Sequence, residues 1–151
     1  RNGQKTLHFY NEFVNVPMLF YDPAIKPIKI KQVTSHIDLA PTVLDLIGLN
    51  REGSFQGASV INKSDDSHAI IESGGRGPCD LIRKPAKIAL VTKEYKYIYS
   101  SKDNKESTKE LYNLIEDTNE LNNLVNNSIY SKIQEDFENI VKKRILAIDA
   151  V

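Results

Sequence analysis

The chain has 151 residues, 40% of them hydrophobic and 26% charged, the composition of a globular domain and not of a disordered tract or a membrane protein. Lys plus Arg and Asp plus Glu each number 20, so the net charge is zero and no global pull toward nucleic acid or anionic lipid exists. A single Cys, Cys79, excludes an internal disulfide framework and a Cys-cluster zinc site, and no apolar run approaches the roughly 20 residues that a bilayer span requires.

The length suits one ordinary domain, with room for an appendage. The chain opens on Arg1-Asn2-Gly3-Gln4-Lys5 without a Met and is expected to be part of a longer protein. Lys5 and His8, with Tyr10, Asn11 and Glu12 close behind, precede the first apolar run, Val16-Pro17-Met18-Leu19-Phe20-Tyr21. That run is short, aromatic-rich and closed by Asp22-Pro23, which predicts a strand buried on both faces, as in a parallel sheet covered by helices. A Lys and a His before such a strand stand where α/β sheets gather sites, although exposed surface residues are the simpler reading of the pair alone. Residues 28–33 alternate Lys with apolar positions and predict an edge strand or an extended arm.

A helix is expected next, in Ser35-His36-Ile37-Asp38-Leu39-Ala40-Pro41-Thr42-Val43-Leu44-Asp45-Leu46-Ile47-Gly48. Starting it at Ser35 would put Pro41 in the interior, at a cost of about 3 kcal/mol. Taking Asp38 as the N-cap puts Pro41 in the first turn, where the missing N–H has no helical partner in any case. Leu39, Val43, Leu44, Leu46 and Ile47 then form an apolar face, and Gly48 supplies the left-handed stop. Residues 50–67 read as loop, with a short ordered touch-down at Gly57-Ala58-Ser59-Val60.

A strand is predicted at 68–72, and 87–92, 95–99 and 110–114 form an antiparallel meander, with a tight turn at Lys93-Glu94 and an exposed hairpin tip over 100–107. Tyr130, Ile133, Phe137, Ile140, Val141, Ile145 and Ile148 recur at helical spacing, with Asn127 or Ser128 placed to cap, and predict a terminal helix packed on the meander.

Three patterns bear chemistry on their own. Asp65-Asp66 with His68 could share a cation, although nothing holds the two carboxylates on one face and a solvated loop is the simpler reading. Cys79 with Arg83 four residues on could be an activated thiol, although a lone Cys in a turn is the simpler reading. Ser73-Gly74-Gly75-Arg76-Gly77-Pro78 offers free backbone N–H groups and a guanidinium to an oxyanion, yet fits no nucleotide fingerprint and reads equally as a plain turn.

Four segments in order resemble the C-terminal third of a sulfatase, in the alkaline phosphatase superfamily. Residues 4–17, with Lys5, Tyr10-Asn11-Glu12 and Val16-Pro17, resemble the family's Lys, Tyr-Glu-Glu and Val-Pro pattern. Residues 35–48 resemble its Asp-x-x-Pro-Thr-x-Leu helix, and Tyr95-Lys96-Tyr97-Ile98 its Lys-Tyr-Ile strand. Residues 110–124, with Glu110-Leu111-Tyr112-Asn113-Leu114, Asp117, Glu120 and Asn123-Leu124, are similar to its Glu-Leu-Tyr-Asp-Leu, Asp-Pro, Glu, Asn-Leu pattern. Asn11 stands where the family often has an acidic residue, and Thr118 where it usually has Pro.

The resemblance implies an α/β fold: the end of an alkaline-phosphatase-like sheet, followed by a small antiparallel sheet packed by a C-terminal helix. It assigns residues 1–60 to the large α/β domain and 61–151 to a small C-terminal subdomain. It further implies hydrolysis of a sulfate ester on a small molecule or glycan, with phosphate and phosphonate esters as alternatives. The family's nucleophile is a Cys, converted to formylglycine, or a Ser in a C/S-x-P-x-R motif, beside a divalent cation, here expected to be calcium.

Both lie in the N-terminal portion, outside this chain: Cys79 lacks the motif's Pro, and Asp65-Asp66 precede a strand instead of following one, so no residue here is expected to ligate metal. Lys5 aligns with the family's catalytic Lys, and His8 and Arg76 are the expected substrate contacts. Without the missing N-terminal portion the chain is expected to be inactive. A non-catalytic interaction domain derived from the same fold is the alternative. The superfamily's phosphodiesterases and phosphomutases are a third reading, which the Glu-Leu-Tyr and Asn-Leu pattern disfavours.

Overall fold

The computed structural model describes residues 8–50, 53–62, 64, 66–74, 86–102 and 105–149. Contacts divide the chain into two units, Arg1–Val16 with Ile70–Val151, and Pro17–Ala69.

The first unit is built on the meander. Strands β1 (Ala69–Gly74), β2 (Ala86–Val91), β3 (Tyr95–Lys102) and β4 (Lys105–Asn113) lie side by side in chain order. The β2–β3 and β3–β4 pairs are antiparallel, with Leu90 opposite Tyr97 and Tyr97 opposite Leu111. Strand alternation sorts β3 into two faces. Tyr95, Tyr97 and Tyr99 join Ile88, Leu90 and Leu111 on one face, which the terminal helix α3 (Ser131–Asp149) covers with Phe137, Val141 and Ile145. Asn127 caps the turn leading into that helix by accepting from the Ile129 N–H, as its sequence position foretold. Arg144 on α3 clasps Glu72 on β1 with both Nε and Nη2, and Lys109 on β4 pairs with Glu138.

The opposite face carries Ala89, Ile98 and Tyr112 and is covered by Phe9 and Tyr10, just before the one-turn helix α1 (Asn11–Val14). The sheet is thus sandwiched between its own terminal helix and a segment from the other end of the sequence. Polar residues 100–102 and 105–107, expected at an exposed tip, instead continue β3 and β4. Ladder hydrogen bonds use the backbone, so polar side chains do not end a hairpin whose register is already fixed by the tyrosine-rich half.

The Pro17–Ala69 unit centres on α2 (Leu39–Leu46). A 3₁₀ turn at His36–Asp38 precedes α2, so Asp38 is the last residue of that turn as well as the residue flanking α2, one step from the simple N-cap role expected of it. Its carboxylate turns back to accept from the Ser35 N–H at 2.7 Å and reaches across to the Ala58 N–H at 2.9 Å. Pro41 lies in the first turn of α2, and Thr42 donates its hydroxyl to the Asp38 carbonyl while accepting from the Val60 N–H. The helix ends as anticipated: Gly48 takes φ +71°, with Gly48 N–H donating to Asp45 and Leu49 N–H to Leu44, the paired bonds of a Schellman stop. The touch-down at 57–60 is real, since Ser59 and Val60 are buried and Ala58 and Val60 hydrogen-bond to the helix start.

The expected strand over Val16–Tyr21 does not form, and 28–33 likewise forms no strand. Leu19 is 89% and Tyr21 86% exposed. A strand with both faces buried needs neighbouring strands and covering helices, and between Val16 and His68 no strand forms among the described residues.

Candidate functional site

Of the residues singled out for chemistry, Lys5, Asp65, Arg76, Cys79 and Arg83 lie outside the described residues. His8 is exposed, its ring stacked on Tyr10 at 5.7 Å and 14° and lying 6.0 Å from the Phe13 ring. Asp66 and His68 are also exposed. Polar groups converge inside the protein just beyond His8, around Phe9, Tyr10 and Asn11.

Alternation along β3 puts Lys96 on the same face as Ile98, across from Tyr112, and α1 with its preceding residues closes over it. The side chain is fully buried. Its ammonium donates to the Phe9 carbonyl at 3.1 Å and to the Asn11 side-chain oxygen at 2.7 Å, and forms an ion pair with Glu120 Oε1 at 2.6 Å. Glu120 Oε2 accepts from the Asn11 backbone N–H, so both carboxylate oxygens are engaged. Beside this cluster the hydroxyls of Tyr10 and Tyr112 both donate to Glu110 Oε2, at 2.9 and 2.8 Å. Lys87 lies over the Phe9 ring, 5.3 Å from its centroid, adding a cation–π contact.

Glu120 is delivered by a turn whose own side chains hold its backbone. Asn113 accepts from the Ile115 and Glu116 N–H groups, and Asp117 from those of Leu121 and Asn122. These backbone donors hold the Asp117 carboxyl below its ordinary range. Asn123 accepts from the N–H groups of Leu111 and Val125, tying the far side of the turn to β4. Between them Glu120 adopts φ +55°, a left-handed conformation uncommon for a residue other than Gly. The pattern Glu110-Leu111-Tyr112-Asn113, Asp117, Glu120 and Asn123-Leu124 thus reads as one device. In the sequence these residues carry the family likeness and show no role of their own. The signal available was Lys96 itself, a charged residue on the inward face of an otherwise apolar strand.

Burial sets the protonation behaviour of the cluster. It pushes the Lys96 ammonium below its ordinary value, while the hydrogen bond and charge of Glu120 pull the other way. Burial also raises the phenols of Tyr10, Tyr95, Tyr97 and Tyr112, aided at Tyr10 and Tyr112 by Glu110. The signs oppose each other. For Lys96 the unfolded chain binds the extra proton, so its contribution rises with pH up to about 10.4; for the tyrosines the folded chain keeps the proton, so stability is lost as pH rises from about 10. Above roughly pH 10.5 only the tyrosine effect remains. Urea midpoints measured from pH 7 to 11.5 should hold or rise slightly up to about pH 10 and then fall; a profile with no fall above pH 10 would show that these phenols ionise alike in both states.

Among the described residues no group of three or more His, Cys, Asp or Glu is placed to hold a metal ion. The divalent cation that the resemblance implies has no seat among them. No helix among the described residues is long and apolar enough to cross a membrane.

Residues 1–49 match the sulfatase family model. A curated Δ4,5-hexuronate-2-O-sulfatase of Bacteroides thetaiotaomicron is 30% identical over 138 residues, 85% of this chain and 28% of the relative. A solved Bacteroides thetaiotaomicron protein assigned as a sulfatase shares the fold at TM-score 0.73 and 25% identity, over 95% of this chain and 32% of that one. A solved 2-O GAG sulfatase shares it at TM-score 0.58 and 23% identity, over 74% of this chain and 24% of that one. The chain is sulfatase-like and is similar to the C-terminal portion of that family, spanning 28% of the length of the curated relative.

Proposed function

We propose that this chain is the C-terminal part of a hydrolase that cleaves sulfate esters of sugars. The observation that carries the reading is the 30% identity to a hexuronate 2-O-sulfatase across 85% of the chain. In this reading residues 1–60 belong to the large α/β domain and 61–151 form the small subdomain. Lys5 contacts the sulfate group, where a compact ammonium with three donors offsets negative charge developing on the transferred group. His8 and Arg76 contact the substrate. The nucleophile and the divalent cation, calcium in this proposal, belong to the N-terminal portion. Phosphate or phosphonate esters are the alternative substrates.

The exposure of Leu19, Tyr21 and Ile28 is compatible with a covering N-terminal portion, and it equally favours the second reading, a non-catalytic interaction domain. The two separate in one experiment. The full coding region containing Arg1 is sequenced, expressed and assayed with 4-nitrophenyl sulfate and an unsaturated 2-O-sulfated hexuronate. The expected result is a C/S-x-P-x-R motif upstream and turnover abolished by chelation, with the 151-residue chain inactive alone. A full-length protein with neither the motif nor turnover would leave the interaction domain standing. Turnover of phosphonate and not sulfate would move the substrate class.

A further inference from the structure

We propose that the stretch over residues 23–33 is a binding surface for a sulfated glycan chain, with Lys26, Lys29 and Lys31 as the groups that meet its sulfates. The inference deepens the hydrolase reading and rests on it for the class of ligand. Between Asp22 and Asp38 the sequence carries these three lysines and no carboxylate, in a protein without net charge. Both flanking carboxylates are engaged locally: Asp22 accepts from the Ala24 N–H, and the buried Asp38 accepts from the Ser35 and Ala58 N–H groups. Residues 21–31 are exposed throughout. None of the three lysines forms an ion pair or a side-chain hydrogen bond among the described residues.

The basic run on α3 shows the contrast. There Lys142 pairs with Glu138 and Arg144 with Glu72, so two of the three cations in Lys142-Lys143-Arg144 are already answered within the fold. The three ammoniums at 26–31 are compact point charges of the kind that meets an oxyanion, and their Cα atoms can spread over up to about 18 Å. Charges distributed along a segment call for a ligand with several anionic groups along its length, which a glycan chain has and a monosaccharide ester has not. Ile25, Ile28 and Ile30, 42%, 73% and 37% exposed and interleaved with the lysines, offer apolar ground to the C–H faces of sugar rings. Pro23 and Pro27 fix φ at two positions, so this stretch has less conformational freedom to lose on binding. An anionic membrane attracts the same charges, but a basic patch alone falls short of the two signals that stable membrane attachment takes.

The test is the titration of heparin oligosaccharides into three forms of the 151-residue chain. The first is wild type. The second is the triple variant Lys26→Gln, Lys29→Gln, Lys31→Gln. The third is the triple variant Lys93→Gln, Lys132→Gln, Lys143→Gln, which removes the same charge from exposed lysines elsewhere. Each lysine lost from residues 26–31 should weaken binding about 5-fold, and the three together about 100-fold, whereas the other triple should stay within about 3-fold of wild type. Counterion release over three contacts predicts that log K of the wild type falls with log salt at a slope of about −2, with the 26–31 variant nearly flat. Urea midpoints of the three forms should agree, because the substituted side chains are exposed.

Equal weakening by both triples, or no binding by the wild type, overturns the proposal. So does equal or tighter binding to duplex DNA or to phosphatidylserine vesicles, which would make the segment a seeker of any anion. None of these readouts needs turnover, so the two readings fail separately. A full-length protein without sulfate-ester turnover removes the hydrolase reading, while selective loss of heparin binding in the 26–31 variant still supports the glycan surface.

Discussion

Lys96→Met is expected to destabilise the sheet unit by about 3–5 kcal/mol, among the largest effects of any single substitution in this chain. Met has nearly the volume of the buried Lys side chain, on the sheet face shared with Ile98 and opposite Tyr112, so the loss is not one of volume. What disappears is the ammonium, and with it the ion-pair partner of Glu120 Oε1 and the donor to the Phe9 carbonyl. Glu120 is left as a buried carboxylate with the Asn11 N–H as its partner. Leaving a buried charge without its partner is the expensive half of breaking an ion pair. The companion double variant, Lys96→Met with Glu120→Leu, removes both charges and should recover a large part of the loss, giving strong coupling between the two sites. Urea unfolding of the four proteins of this cycle decides the matter. A Lys96→Met chain within about 1 kcal/mol of wild type, or strictly additive losses, would mean that the pair is solvated in practice.

The contrast between this cluster and the rest of the fold explains how much is legible in the sequence. The meander, the terminal helix and its Asn127 cap are legible because period-two and period-3.6 patterns and cap chemistry are local. Asp38, Pro41 and Gly48 bound α2 to within a 3₁₀ turn for the same reason. The failures are non-local. Val16–Tyr21 has the composition of a buried strand, but a strand is made by its neighbours, and among the described residues none pairs with it. Lys96 is legible only as one residue of a Lys-Tyr-Ile match, because its partners Phe9, Asn11 and Glu120 arrive from 87, 85 and 24 positions away in sequence. Of the candidate site, the sequence locates the segment around His8 and its likeness to sulfatases, and the structure adds the groups that hold Phe9, Tyr10 and Asn11 in place. Lys5 and Arg76 still rest on resemblance and on pattern.

Gly57→Ala should be nearly as disruptive in the other unit, and its mechanism is purely steric. A methyl group built at Gly57 would lie 2.1 Å from the Ile37 carbonyl oxygen and 2.9 Å from the Asp38 nitrogen, all backbone atoms with no rotamer to retreat into. Either the 57–60 touch-down or the His36–Asp38 turn must move. Moving either breaks the bond from Ala58 N–H to the buried Asp38 carboxylate and the bond from Val60 N–H to the buried Thr42 hydroxyl. Overpacking costs about 1–3 kcal/mol, and each buried polar group left unpaired costs a further 1–3 kcal/mol or so, which together place the expected loss at about 3 kcal/mol or more. Gly53→Ala is the matched control: a methyl there meets nothing within 4 Å, and the change should stay within about 0.5 kcal/mol. Amide exchange at Ala58 and Val60 reports the effect locally, and exchange at Ile98 and Leu111 should not change, because those residues belong to the other contact unit. If Gly57→Ala proves as mild as Gly53→Ala, the close approach of Gly57 to the Ile37 carbonyl is not what holds the loop to the helix start. The burial of Val60 alone would then have to carry that contact.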